Sequence, residues 1–370
     1  MSSNLVEIIK DGFSIEVIKD EDLGIAFSSL KIALKSYFST YQCFKINLNI
    51  VSQDNTDQDV VDYHHNNRYC ELCTETLIHF QHFFELACKK ILKDEHPLLS
   101  DVALTKPVVL HKLLNNQELS GEETNSLRSI EFSEAILRLD ELIKHNQMSN
   151  CANLQFIRDK KETLIQINAL RNRVWHRGVY VLRYQSLDKF ICGYVLPLLN
   201  DFLQLNEFKG NDCLWKYKAL DCKLDPITEL VAAYSSKTFD IKKVAFIKEL
   251  GRAAYSNPLW NRSASTKKTI DGFSKFFDRK HIDRAMRISK AEASQDFASV
   301  LSCPVCGVKS LVLYTETDVE YGNEEEEYSG YAYTDRVVCE CCQLTLYSGF
   351  DNAIKYGFSN IDDFWHYTEI

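Results

Sequence analysis

Through the middle of the chain, apolar positions recur three and four residues apart. RYCELCTETLIHFQHFFELACKKILKD (68–94), SGEETNSLRSIEFSEAILRLDELIKH (120–145), RDKKETLIQINALRNRVWHRG (158–178) and YQSLDKFICGYVLPLLNDFLQL (184–205) all keep a helical period. EHP stops the first of these, serine followed by two glutamates opens the second, and glycine closes the third. Four such helices with short links predict an up-down bundle. Beyond them, Asp225-Pro226 reads as an N-cap with proline at the first helical position, and further helices are expected over 226–235, 239–255, 265–278 and 282–297. The ends of the chain alternate instead. FSIEVIK (13–19) and CFKINLNIV (43–51) predict short strands around a helix over 22–40, and the polar run SQDNTDQD (52–59) marks a boundary. The last 70 residues mix Val, Tyr and Thr with paired cysteines. The expected chain is mainly α, with a small N-terminal α/β segment (1–62), a four-helix bundle (63–207), an additional helical and partly basic region (208–299), a small β unit (300–350) and a C-terminal tail (351–370).

Composition adds three constraints. The 370 residues are 45% apolar, so sizeable cores can be buried and more than one domain is expected. The net charge of −9 points to no polyanion, but it is unevenly spread. Nine Lys/Arg meet three Asp between Arg262 and Lys290, and eight meet three acidic residues between Arg158 and Lys189. Basic faces for a polyanion are therefore compatible with an acidic chain. MSSNLVEIIKDGF carries no signal-peptide pattern, and the longest nearly apolar stretch, FICGYVLPLL, is about half a membrane span. Thirteen cysteines, an odd number with several in helical segments, fit a reducing cytoplasm better than a disulfide framework.

Four of those cysteines carry chemistry. CPVCG (303–307) and CECC (339–342) form a CxxC…CxxC set from Cys303, Cys306, Cys339 and Cys342. Each pair predicts a tight knuckle presenting two thiolates, and two knuckles complete a tetrahedral Zn²⁺ shell. The 32-residue spacer is long, and a hairpin of SLVLYTET against YAYTDRVV with an acidic tip accounts for it. The expected unit is a zinc ribbon with structural Zn²⁺ replacing a core too small to fold unaided. Cys341 is an alternative fourth ligand, but only Cys342 keeps the knuckle spacing. Cys70 and Cys73 make another CxxC, read as part of a buried helix face.

On a helical wheel of 158–178, Leu164, Ile167, Leu170 and Val174 share the core face, while Asn168, Asn172 and His176 form a polar stripe away from it. Arg171 lies on the flank between the two, about 7.5 Å of rise from His176. Histidine suits proton transfer near neutrality, arginine offers a fixed donor fork for phosphate, and Asn172 is one turn from His176. A solvated polar face is the alternative account of the same stripe. The last-turn position favours the protonated imidazole, whereas Arg173 and Arg177 oppose it.

At RNRVWH the chain resembles the HEPN superfamily (higher eukaryotes and prokaryotes nucleotide-binding). Its ribonuclease members carry Arg, usually a polar residue, and then His after four to six residues. Arg171, Asn172 and His176 match that pattern at the end of the third of four helices, and FFELACKKIL (83–92) resembles the opening helix, with Glu85 at its acidic position. The resemblance covers about 63–207. It implies an HEPN-like bundle and a metal-independent endoribonuclease leaving 2′,3′-cyclic phosphate and 5′-hydroxyl ends. It implies as well a homodimer in which two motifs face one cleft, with Ile165 and Ala169 helping to seat the contact. A role as toxin or antiviral abortive-defence effector, with a regulatory or antitoxin protein as a further partner, is expected from the same resemblance. The rival expectation is a non-catalytic module that holds a nucleotide, RNA or protein and uses the ribbon to dock. The 262–290 segment, with Phe273, Phe276 and Phe277 among its basic residues, fits RNA under either reading.

Overall fold

The computed structural model describes residues 21–45, 48, 58–102, 106–177, 180–235, 239–259, 271–294, 298–320, 329–350 and 352–369, and the protein is mainly α with a small antiparallel sheet. Helix α1 (Glu21–Ser39) lies antiparallel along α2 (Asn67–Glu95), fixed by Ser29 to His82 (2.8 Å) and Ser36 to Glu75 (2.6 Å). Between them Phe27, Leu30, Leu34, Phe80, Phe83 and Phe84 are fully buried. Asn66 caps α2 by accepting from the Tyr69 amide. Helices α3 (Phe132–Lys144), α4 (Cys151–Asp159) and α5 (Lys161–Arg177) complete this body, with α3 and α5 both packed on α2.

Tyr184–Phe190, Ile191–Val195 and Leu196–Gln204 run end to end as α6, whose middle turn is π-helical. Pro197 has no amide hydrogen for the Gly193 carbonyl four residues back, which places the irregular turn there. Gly193 also lets the Tyr234 ring approach, since a Cβ would sit 2.5 Å from it.

Helices α7 (Pro226–Ser235) and α8 (Ile241–Ser256) follow, and Asp240 caps α8. Consecutive residues of α8 serve two partners. Lys248 donates to Asp188 of α6 at 2.7 Å, both side chains fully buried, with its ammonium 4.4 Å and 4.3 Å from the Tyr37 and Tyr184 ring centroids. Burial pushes the Asp188 carboxyl up and the Lys248 ammonium down. Glu249, equally buried, accepts from Tyr41, from Arg252 (2.6 Å) and from the Thr345 amide (2.5 Å).

Helix α9 (Asp271–Glu292) lies against a sheet of β3 (Ser299–Ser302), β4 (Lys309–Glu320), β5 (Ser329–Cys339), β6 (Thr345–Tyr347) and β7 (Tyr367–Glu369). The order is β3-β4-β5-β6, and β7 pairs with the other half of β5. The long hairpin is the expected one, running from Leu311 opposite Cys339 to Glu320 opposite Ser329. One hydrophobic core continues from the helical body into this sheet.

Several elements depart from expectation. The helix expected over 120–145 is two. A capping box on Ser120 opens the short helix Gly121–Asn125, which ends at Ser126, after which β2 (Arg128–Ser129) pairs with β1 (Asp101–Val102) and draws the chain out until α3 begins. The third helix likewise divides at Lys160, between α4 and α5. The pair expected over 265–278 and 282–297 is the single helix α9, because DRKHI between them holds neither glycine nor proline. Thr40–Cys43 is a 3₁₀ turn where a strand was expected to begin, and the strand expected over 13–19 lies outside the described residues. Pro107–Leu114 is a helix whose short period was not legible, with Val109 and Leu113 buried.

Candidate functional site

Two constellations stand out. In the sheet, Cys303, Cys306, Cys339 and Cys342 bring their sulfurs within 4.8 Å of one another, a group that could hold a metal ion. Cys303 and Cys342 are 3.5 Å apart and Cys306 and Cys339 3.7 Å. A tetrahedral ion with about 2.3 Å thiolate bonds needs sulfurs about 3.8 Å apart, a spacing that these two pairs approach. The two knuckles match. Gly307 and Gln343, each next after a pair, both take positive φ (74° and 62°) and return their amides to the Cys303 and Cys339 carbonyls at 2.9 Å. Cys341 is buried outside the set, so the fourth position belongs to Cys342. Among the described residues Cys70 and Cys73 join no such group; burial pushes the Cys73 thiol up to about 12, leaving it protonated.

The knuckles are tied to the helices. The Asp221 and Cys222 amides donate to the Val305 and Pro304 carbonyls (3.1 and 2.8 Å), and a Cβ on Gly307 would meet the Asp221 carboxyl at 2.8 Å. Arg252 donates to the Gln343 carbonyl, immediately after Cys342, while Glu249 holds the Thr345 amide.

The second constellation lies on α5 and α2. Arg171 Nη1 donates to Asn172 Oδ1 at 2.9 Å, and the guanidinium lies 5.8 Å from the Trp175 ring centroid. Its Nε is buried with no hydrogen-bond partner among the described residues. Leu164, Ile167, Leu170 and Val174 are buried as the wheel predicts, whereas Asn168 and Asn172 are half-buried and not fully solvated. The backbone carries His176 on the last turn of α5; its side chain lies outside the described residues.

Glu85, on α2, accepts from Lys89 (2.5 Å) and Gln81 (2.7 Å). Burial works to raise its carboxyl, but these two donors win and hold it below the usual range. No hydrogen bond joins Glu85 to Arg171 or Asn172.

Sequence reasoning missed the other polar groups here. His79 and His82 stand one turn apart on α2, and Arg171 is close enough to lower the proton affinity of His82. Trp175, 62% exposed beside Arg171, and Tyr180, whose ring stacks 3.8 Å from the Arg173 guanidinium, offer flat faces. The aromatic member of RNRVWH was the one available signal. The basic helix α9 also exposes Phe276 (63%) and Phe277, packed edge to face, whereas the side chain of Phe273 lies outside the described residues.

No family model matches the chain, and no match was found among curated proteins or solved structures. Among the described residues no helix is long and apolar enough to cross a membrane.

Proposed function

We propose that the protein is an HEPN-type, metal-independent endoribonuclease. The observation that carries this reading is Arg171 beside Asn172: a guanidinium with one donor fixed on a neighbouring amide, a buried Nε with no partner among the described residues, and an exposed indole next to it. Free donors on a rigid fork suit a phosphate, and the indole suits an adjacent base. In this reading Arg171 stabilises charge on the scissile phosphate, Asn172 holds the arginine and positions the substrate, and His176 moves a proton. The ribose 2′-oxygen attacks phosphorus, the bond to the 5′-oxygen breaks, and the ends are a 2′,3′-cyclic phosphate and a 5′-hydroxyl. Glu85 supports the α2 surface through Lys89 and Gln81. Ile165, 39% exposed on α5, supports pairing of two chains into a homodimer around the motif. We assign the tetracysteine centre to structural Zn²⁺, since an all-thiolate tetrahedral set of this spacing suits that ion and leaves no open position for catalysis. A cytoplasmic toxin or antiviral defence effector, restrained by a regulatory protein, is the biology this activity fits.

The test is purified protein incubated with total RNA in EDTA, wild type beside His176→Ala, with fragment ends analysed. Cyclic phosphates that disappear in the variant support the enzyme. Equal cleavage by both, or none by wild type, leaves the chain a nucleic-acid- or protein-binding module.

A further inference from the structure

Helix α9 divides into a packed side and an outward one. On the packed side Ala285 and Ser289 are buried, and the Ser289 hydroxyl shares its hydrogen between the Ala285 carbonyl (2.8 Å) and the Ser310 carbonyl of β4 (3.2 Å). His281 Nε2 lies 3.2 Å from the Cys341 carbonyl in the second knuckle. Near the last turn, Glu292 accepts from Tyr314 of β4 at 3.3 Å. These ties hold α9 on the sheet as a fixed rod.

The outward side is left with cations. Arg279, Lys280, Arg284, Arg287 and Lys290 are all exposed, and none makes an ion pair among the described residues. Asp283 is the one acid among them, since at 100° per residue Asp278 and Glu292 fall on the sheet side. On the same wheel Phe276, Lys280, Arg284 and Arg287 lie within about 80° of one another and form a ridge that rises about 16.5 Å. The rings of Phe276 and Phe277 stand at its N-terminal end, 5.8 Å apart with their planes at 74°. A merely solvated face mixes its signs. Here like charges recur three and four residues apart, a spacing at which they repel and work against the helix. Such a row, on a chain whose net charge is −9, is balanced by an anion laid along it.

Charge complementarity calls for an anion that repeats along the ridge, and the rings call for flat groups beside it. A nucleic-acid strand supplies both. Its bases reach the rings only when unpaired, which favours a single strand over a duplex. A membrane surface fits less well, because an interfacial helix gives its apolar side to the lipid and that side of α9 is packed on β4. We propose that α9 is a docking surface for single-stranded RNA, with phosphates along Lys280, Arg284 and Arg287 and bases against Phe276 and Phe277. The choice of RNA over DNA rests on the ribonuclease reading above; the docking of a single strand does not.

The experiment is fluorescence anisotropy of the full chain with a labelled oligouridine carrying 2′-O-methyl groups, a strand that has no 2′-hydroxyl to attack and so survives any nuclease activity of this kind. The logarithm of the association constant should fall against the logarithm of salt concentration with a slope of about −2 or steeper, as about three phosphate contacts require. Arg284→Gln combined with Arg287→Gln should flatten that slope by about 1.4 and weaken binding about 25-fold at about 0.1 M salt. Phe276→Ala should weaken binding about 5-fold or more and leave the slope unchanged. All three side chains are exposed, so the substitutions leave the packed side of α9 intact. A slope near zero, an unchanged slope in the double variant, or undiminished binding by Phe276→Ala overturns the docking. So does equally tight binding of an RNA duplex, of polyglutamate or of phosphatidylserine vesicles. A DNA strand bound more tightly than the RNA overturns the choice of RNA. Total RNA left intact by wild type, with strand binding and its slope as expected, overturns the ribonuclease reading alone.

Discussion

Arg171 has one donor on Asn172, while its Nε is unpartnered among the described residues, an arrangement that lysine cannot copy. Arg171→Lys should therefore keep the charge yet lose most of the rate, within the about 10²–10³-fold seen when one transition-state donor is removed. Single-turnover cleavage at saturating RNA checks this, and near-wild-type rates would show that charge alone suffices. His65 makes a different prediction. Its ring bonds the Val61 carbonyl through Nδ1 (2.8 Å) and receives the Tyr184 amide at Nε2 (2.9 Å), so the fold holds it neutral. Burial is the main reason its proton affinity is lowered, and burial lowers His79 and His82 as well. Groups with depressed folded values contribute fully above the unfolded histidine value of about 6.5, and the contribution is lost as pH falls through that value toward the folded one. Thermal melts should thus be flat above about pH 7.5 and drop between about pH 6.5 and 5. A melting temperature unchanged across that window would rule this out.

At the scale of elements, α8 shows how close packing limits a helix. Gly251 faces Phe38, and an added Cβ would lie 2.8 Å from a ring that is itself fully buried. Gly251→Ala gains about 1 kcal/mol of helix propensity but overpacks a core, which costs about 1–3 kcal/mol. Net destabilisation in urea is expected; a stabilised variant would mean that Phe38 moves freely. The element pattern was largely open to reading. The long amphipathic helices α1, α2, α5 and α6 declared themselves by period, and the β4–β5 hairpin by alternation between two cysteine pairs. The division of 120–145 was hidden because its cause, β2 pairing with β1, lies some 27 residues back in the chain. The candidate site was legible in the same uneven way. Four ligands in two three-residue spacings can be read directly, as can adjacent Arg171 and Asn172. His79 and His82 look on a wheel like any polar helix face, and only Ser29, 53 residues away, sets one of them apart.

For the whole molecule, the four-cysteine group and the helices belong to one core. With Zn²⁺ bound there as proposed, its removal would free the second knuckle, where Arg252 and Glu249 of α8 hold Gln343 and Thr345. Cys303→Ser, or prolonged chelation, should consequently lower the melting temperature of the helical signal as well as that of the sheet. Two separate transitions, with the helical one unmoved, would contradict this. The Asp188–Lys248 pair gives a companion test. Lys248→Met strands a buried carboxylate and should cost about 3–5 kcal/mol, whereas Asp188→Leu combined with Lys248→Met should recover much of that loss. Denaturant melts of the single and double variants decide it.

The same pair sets a clock on synthesis. Asp188 is translated 60 residues before Lys248. At about 5–20 residues per second, that leaves α6 for several seconds with a carboxylate bound for the interior and no cation to meet it. During that interval the surface of α6 destined for α8 stays wet, and docking of the bundle waits on the ribosome. Nascent chains arrested before residue 248 has emerged should be cut by protease within α6, and chains arrested well after it should resist. The polypeptide thus reaches its finished core late, with most of its length already made.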